Sequence, residues 1–326
     1  MKLESKEVNM SMFPVKNSPP FLQLLILLLL MPVSVFVVSL AGILLLLPFG
    51  GAEFWEAWMQ GQLSLAQLKY LQLLQGAGLF IVPALLAAQL FSGSVSRGLH
   101  FMRPSARGLL LAMVLILGAQ PLVLWLASDA WQPTLPESLQ GLSQWMQRSE
   151  EAVNKTIYRF LDTRGLPPLL FNLLLMVVLP ALGEEMLFRG SLQPMLQRWL
   201  GKPHAAVWLT AFLFSAMHLQ FLTFFPRLLL GALLGYLLLY GKSLWYPIAG
   251  HFINNLLALV LFHYYRLTQP EVNPLSMEQS PPMLWLVTLS MALSLLVLLA
   301  LKKHTEKHQS ASETSSAPSF SEGRYT

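Results

Sequence analysis

Apolar residues in this chain come in blocks of roughly 20, the length that crosses a bilayer core of about 30 Å. The blocks are Phe21–Leu47, Leu68–Phe91, Gly108–Ala127, Leu166–Phe188, His204–Phe221, Pro226–Tyr240, Pro247–Tyr264 and Pro282–Leu301. The sixth is short for a full crossing, so seven spans with a re-entrant piece is the alternative count. Charge is scarce: Asp, Glu, Lys and Arg make up 11% of the 326 residues and apolar side chains 55%. An ordinary soluble domain carries about 25% charged residues, and a water-soluble fold this large cannot cover its surface with so few. The expected fold is an all-α polytopic transmembrane helical bundle of about eight spans. A soluble enzyme, a nucleic-acid binder and a disordered scaffold are excluded. The net charge of +5 is spread between apolar blocks and forms no basic stripe, so no nucleic-acid partner is expected. With no cysteine there is no disulfide, thiolate metal site or cysteine nucleophile, which leaves His, Glu, Asp, Ser and Lys for chemistry. The mixed charges from Lys2 to Lys16 and the length of the first apolar run do not fit a cleavable signal.

Orientation follows the basic residues. With an even count and the N-terminus inside, fourteen of the 21 Lys and Arg fall in the cytoplasm, among them Lys2, Lys6, Lys16, Arg97, Arg198 and Arg324. Lys69, Arg148, Lys155, Arg159, Arg164, Arg227 and Arg266 fall outside. Both termini are therefore expected in the cytoplasm. In the long outer loop, Leu139, Leu142, Met146, Val153, Ile157 and Phe160 recur at three- and four-residue steps apart from one gap. This stripe describes an amphipathic helix, either lying in the outer interface or packed on the bundle as a connector. The expected segments are a cytoplasmic piece 1–20, a transmembrane region 21–165 that includes the loop helix, a chemistry-bearing core 166–264, a last transmembrane helix 265–303, and a Ser/Thr-rich disordered cytoplasmic tail 304–326. No internal repeat of the transporter kind is present.

Ionisable groups inside apolar spans are costly, so each is a site hypothesis. They concentrate in three places: Glu184-Glu185 through Arg189 at the end of the fourth block, Phe214 through His218 deep in the fifth, and His251 through Asn255 opening the seventh. Glu185 and Arg189 stand at i and i+4 in the order that favours a helical ion pair. Glu184 then points elsewhere, and desolvation suits its carboxylate to a general base. His251 and Asn255, also four apart, present donors on one face. If the fourth helix runs on to Leu200, Glu184 and His218 both lie roughly 21–24 Å from the Gly201-Lys202-Pro203 turn, which is similar depth in a hairpin. Asn254 reads as a helix–helix contact, His204 and His263 as interfacial, and Trp199, Trp245, Tyr246, Tyr264 and Tyr265 as an interfacial belt.

The three motifs, EEMLFR, FSAMH and HFINN, resemble those of the CAAX prenyl protease and bacteriocin-processing family of intramembrane endopeptidases, also called the Abi family. That family carries Glu-Glu-x-x-x-Arg, Phe-x-x-x-His and His-x-x-x-Asn on successive membrane helices. The resemblance covers less than a third of the chain. It implies that Glu184 and His218 activate a water for attack on a peptide carbonyl. It further implies that His251 and Asn255 hold the oxyanion and that Glu185 and Arg189 form a structural pair. The family is often labelled metalloprotease, and Glu184, His218 and His251 make a plausible zinc set. No His-Glu-x-x-His helix is present, so metal stays open and no cofactor is assigned. The partners implied are a peptide or membrane-protein substrate and the lipid bilayer. Short loops and compact size suggest a bacterial inner-membrane, multi-pass protein. Two other readings use the same residues: a proton- or cation-coupled transporter, and a non-catalytic protein of the bacteriocin-immunity type.

Overall fold

The computed structural model describes residue 16 and residues 18–128, 136–269, 271, 273–276 and 281–316. Lys2, Lys6 and Arg324 of the charge argument, and residues 317–326 of the expected tail, lie outside the described residues. The main helices are α1 (Pro20–Leu46), α2 (Leu65–Ser92), α3 (Ala106–Ala127), α4 (Gln140–Leu161), α5 (Leu166–Leu200), α6 (Pro203–Ala216), α7 (Phe224–Gly241), α8 (Trp245–Thr268) and α9 (Leu284–Ser316). Among the described residues, seven of them (all but α4 and α6) are long and apolar enough to cross a membrane. The chain is thus a polytopic all-helical membrane protein.

Two expectations are corrected. The short piece is α6, 14 residues long and ending at Ala216, while the expected short sixth span is a full 18-residue helix. The apolar sequence through Phe221 hides a chain that has already left the helix. The last helix also continues through 304–316, where composition suggested an unstructured tail.

Two compact units divide the chain. The first comprises residues up to Phe101 together with Leu182–Ala206, and so contains α1, α2 and the second half of α5. The second comprises Met102–Ala181 and everything from Val207 onward.

In the first unit α2 begins with a capping box: Gln67 N donates to Ser64 Oγ at 3.3 Å, and Ser64 N to Gln67 Oε1 at 2.8 Å. Helix α1 turns Leu29, Phe36 and Leu45 outward, as lipid contact requires. Its other side meets α2 at small residues, since a Cβ on Gly78 would stand 2.8 Å from Val35 Cα. The second unit is built on Ala112, Leu115, Ile116 and Ala119 of α3 against Leu233, Leu234 and Leu237 of α7, with Tyr246 of α8 and Val297 and Leu301 of α9. Gly250 lets α8 approach Ile116 and Leu237 closely.

Helices α2 and α5 contain wide π turns at Ala77–Ile81, Leu174–Val178 and Met186–Leu192. Each ends two residues before a proline: Pro83, Pro180 and Pro194. A helical proline lacks its N–H and collides with the carbonyl four residues back; an extra residue in the preceding turn relieves both problems. Accordingly the N–H groups of Val82, Leu179 and Gln193 reach Ala77, Leu174 and Phe188, five residues back.

Crowding Gly78 should be felt where an open glycine is not. Gly78→Ala is expected to lose about 1–3 kcal/mol by forcing α1 and α2 apart. Gly141→Ala in α4, with nothing within 4 Å, is expected to gain up to about 1 kcal/mol. Thermal unfolding of the detergent-purified protein checks both, and a Gly78→Ala midpoint at or above wild type contradicts the packing described.

Candidate active site

The motif residues are shared between the two units: Glu184, Glu185 and Arg189 belong to the first, His218, His251 and Asn255 to the second.

In the first unit, Glu184 and Glu185 close the α-helical stretch Leu179–Glu185 of α5, between its two wide turns. Arg189 lies inside the second of these. Its Nη1 donates to Glu185 Oε1 at 2.7 Å, and both side chains are fully buried. Ser191 Oγ donates to Met186 O at 3.2 Å across the same turn. Gly183 packs on the wide turn of α2, where a Cβ would stand 3.1 Å from Phe80 and Ile81. Phe188 adds a ring contact to Phe80 at 6.5 Å. The Glu184-Glu185 step is thereby fixed against α2. Glu184 is 9% exposed, the more accessible of the two carboxylates.

In the second unit His218 sits in a turn beyond the end of α6, where its N–H reaches Ser215 O and Leu219 follows at φ +53°. Its Nδ1 lies 2.8 Å from Phe214 O. A carbonyl only accepts, so this bond puts the proton on Nδ1 and makes Nε2 the nitrogen that accepts one. The Phe214 ring packs edge-on against His218 at 5.1 Å and against His251 at 6.0 Å. One phenylalanine thus orders both imidazoles, a physical reason for its place in the motif. His251 is buried in the first turns of α8. Four residues on, Asn255 Oδ1 accepts from Asn254 Nδ2 at 3.3 Å, and Asn254 Oδ1 accepts from Gln120 Nε2 of α3 at 3.2 Å. This relay ties α8 to α3, as expected for Asn254, and fixes the Asn255 carboxamide with its oxygen engaged and its Nδ2 facing away from Asn254.

The sequence reading missed the brace that holds the His218 turn. Helix α4 packs on that turn: Trp145 meets Phe221 at 5.0 Å, and Ser149 Oγ donates to Leu219 O at 3.1 Å. Glu150 Oε1 accepts from Gln220 Nε2 at 3.2 Å and Thr223 Oγ1 at 3.1 Å. Arg227 Nη2 in turn donates to Gln220 Oε1 at 2.8 Å and Thr223 Oγ1 at 3.0 Å. Ser215 Oγ closes the other end on Phe224 O at 2.7 Å. The signal was there: Glu150 fills the one gap in the apolar stripe of α4. A carboxylate in such a stripe, 6% exposed, needs polar partners. This contact also makes α4 a connector packed on the bundle along that side, while Leu139 and Leu142 remain outward-facing.

Among the described residues no three His, Asp or Glu side chains gather closely enough to hold a metal ion. The candidate ligands Glu184, His218 and His251 are divided between the two units.

A family model described as type II CAAX prenyl endopeptidase Rce1-like matches residues 166–257. The segment is similar to that family, and all three motifs lie inside it. No curated protein and no solved structure matches the chain. The Rce1-like segment covers less than a third of the chain and draws on both units, so residues outside it supply its surroundings: α2 behind Glu184, and α3 and α4 around Asn255 and His218.

Two outcomes follow from these contacts. Arg189→Met leaves Glu185 buried without its partner and is expected to lose about 3–5 kcal/mol, while Glu185→Leu combined with Arg189→Met recovers most of the loss. Thermal unfolding reads both. Glu150→Ala is expected to speed hydrogen exchange of residues 219–223 by about tenfold or more, as two charge-assisted bonds vanish, and to leave α7 residues 232–241 unchanged. Equal protection in wild type and variant contradicts the brace.

Proposed function

We propose that the protein is an endopeptidase that hydrolyses a peptide bond of a membrane-associated peptide or protein, with Glu184 and His218 acting on one water. The observation that carries this reading is the ordered pair of imidazoles on Phe214, within a segment that matches an endopeptidase family. A structural histidine needs a hydrogen-bond partner; it does not need a fixed tautomer whose other nitrogen accepts a proton.

In the proposed reaction Glu184 takes a proton from water while His218 Nε2 orients it, and the water oxygen bonds to the scissile carbonyl carbon. The carbonyl oxygen becomes an oxyanion that receives N–H donation from His251 and from Asn255 Nδ2. Each such donor is worth about 3–4 kcal/mol in the transition state. Protonated Glu184 then passes its proton to the amide nitrogen. The C–N bond breaks, leaving a carboxylic acid on one product and an amine on the other, and proton transfer between them gives the carboxylate and the ammonium. Glu185 and Arg189 hold the α5 turn and touch no reacting atom. Both termini in the cytoplasm and a bacterial inner membrane complete the proposal. Burial of Glu184, Glu185, Arg189 and His251 within membrane-length helices supports a substrate that is itself held in the bilayer.

The test is cleavage of a farnesylated CAAX-type peptide and of a pooled hydrophobic peptide library by the purified protein. Glu184→Gln and His218→Ala are each expected to lower kcat by about 10²–10⁴-fold. Asn255→Ala should lower kcat by about 10²–10³-fold with little change in KM, and the rate with and without a chelator decides whether a metal takes part. Undiminished cleavage by Glu184→Gln contradicts the reading, and gradient-dependent ion flux without any cleaved product replaces it with the transporter.

A further inference from the structure

The first unit contains a cavity of about 380 Å³ that the proposed chemistry does not use. Among the described residues, Lys16, Arg97, His100 and Arg198 line it and no acidic side chain does. Its floor includes Gln23 and Ser191, both buried polar residues. The cavity lies where α1 begins at Pro20, α2 ends at Ser92 and α5 ends at Leu200, which makes it a feature of one membrane margin. The rings of Phe21 and Trp199, 5.7 Å apart and each about half exposed, mark the same margin, where amphipathic aromatic rings collect.

The basic groups are set in place. Arg198 Nη2 donates to Gln23 Oε1 at 2.7 Å, and Gln23 Nε2 donates to Ser18 O at 3.0 Å. This ties one end of the Arg198 guanidinium to the start of α1. Arg97 sits in a one-turn helix capped by Ser94 and held close to α2 by Gly98, where a Cβ would stand 2.8 Å from Ala88 Cβ. Lys16, Arg97 and Arg198 line one cavity and repel one another, and an anion between them relieves that repulsion. Guanidinium forks match phosphate oxygens in particular.

We infer that this cavity binds a phosphate-class anion at the membrane margin, either the headgroup of an anionic phospholipid or free phosphate. A basic pocket between transmembrane helices is the arrangement that takes lipid headgroups. The inference is independent of the proposed peptidase activity.

The experiment titrates the full-length purified protein in non-ionic detergent with dihexanoyl phosphatidylglycerol, dihexanoyl phosphatidylcholine and inorganic phosphate, by calorimetry. The same titrations are run on Arg97→Gln, Arg198→Gln and the control Lys303→Gln, which is not among the lining residues. Phosphatidylglycerol is expected to bind, more weakly as salt rises, with Arg97→Gln and Arg198→Gln each lowering affinity about fivefold and Lys303→Gln leaving it unchanged. Arg97 is exposed, so its variant keeps the test sound if Arg198→Gln fails to fold. Binding of phosphatidylglycerol but not inorganic phosphate identifies a lipid headgroup; equal affinity for inorganic phosphate identifies a free ion. Equal affinity for the two lipids, no binding of either anion, or an unchanged affinity in Arg97→Gln overturns the inference.

Discussion

An ion pair sealed from solvent governs the first unit. Glu185 and Arg189 are fully buried and bonded at 2.7 Å, in an environment where a lone charge costs several kcal/mol. Such a pair holds only if its helix is fixed, and the surrounding sequence fixes it. Pro194 imposes the wide turn that contains Arg189, Gly183 allows α2 to press against the same stretch, and Phe80 packs on Phe188. Glu184 inherits its position from these constraints. The first hundred residues, which carry none of the motifs, therefore have a definite role: α2 walls in the carboxylate step of α5.

The second unit meets a different demand. His218 lies on a turn outside any helix, where backbone order is not supplied by an i→i−4 ladder. Order comes instead from Phe214 on one side and from the Glu150–Gln220–Thr223–Arg227 cluster on the other. Each of these side-chain bonds has a charged partner, Glu150 or Arg227, which strengthens it. A histidine on such a turn is held without being encased, which accords with the contact to substrate and water proposed for it.

Much of this was legible from residue patterns. Seven of the eight apolar blocks fall on membrane-length helices, and i/i+4 spacing gave the Glu185–Arg189 pair and places His251 and Asn255 on one face of α8. The end of α6 was not legible, because Met217, Leu219 and Phe221 continue an apolar run after Leu219 has turned to positive φ. The wide turns were not foreseen either, although Pro83, Pro180 and Pro194 stand in plain view; a proline announces a disturbed helix but not whether it kinks or widens. Glu150 passed unnoticed as a gap in a stripe, since its partners come from a turn some 70 residues further along. Such long-range polar partners leave no periodic trace in a single sequence.

The central claim is that Glu184 and His218 serve one water. A double-mutant cycle on cleavage, with Glu184→Gln, His218→Ala and the combined variant followed under single-turnover conditions, tests it most directly. Residues that act as a unit are non-additive, so the combined variant should cleave no more slowly than the slower single variant. Losses that multiply would mean that the two groups act independently, and the shared water would have to be abandoned.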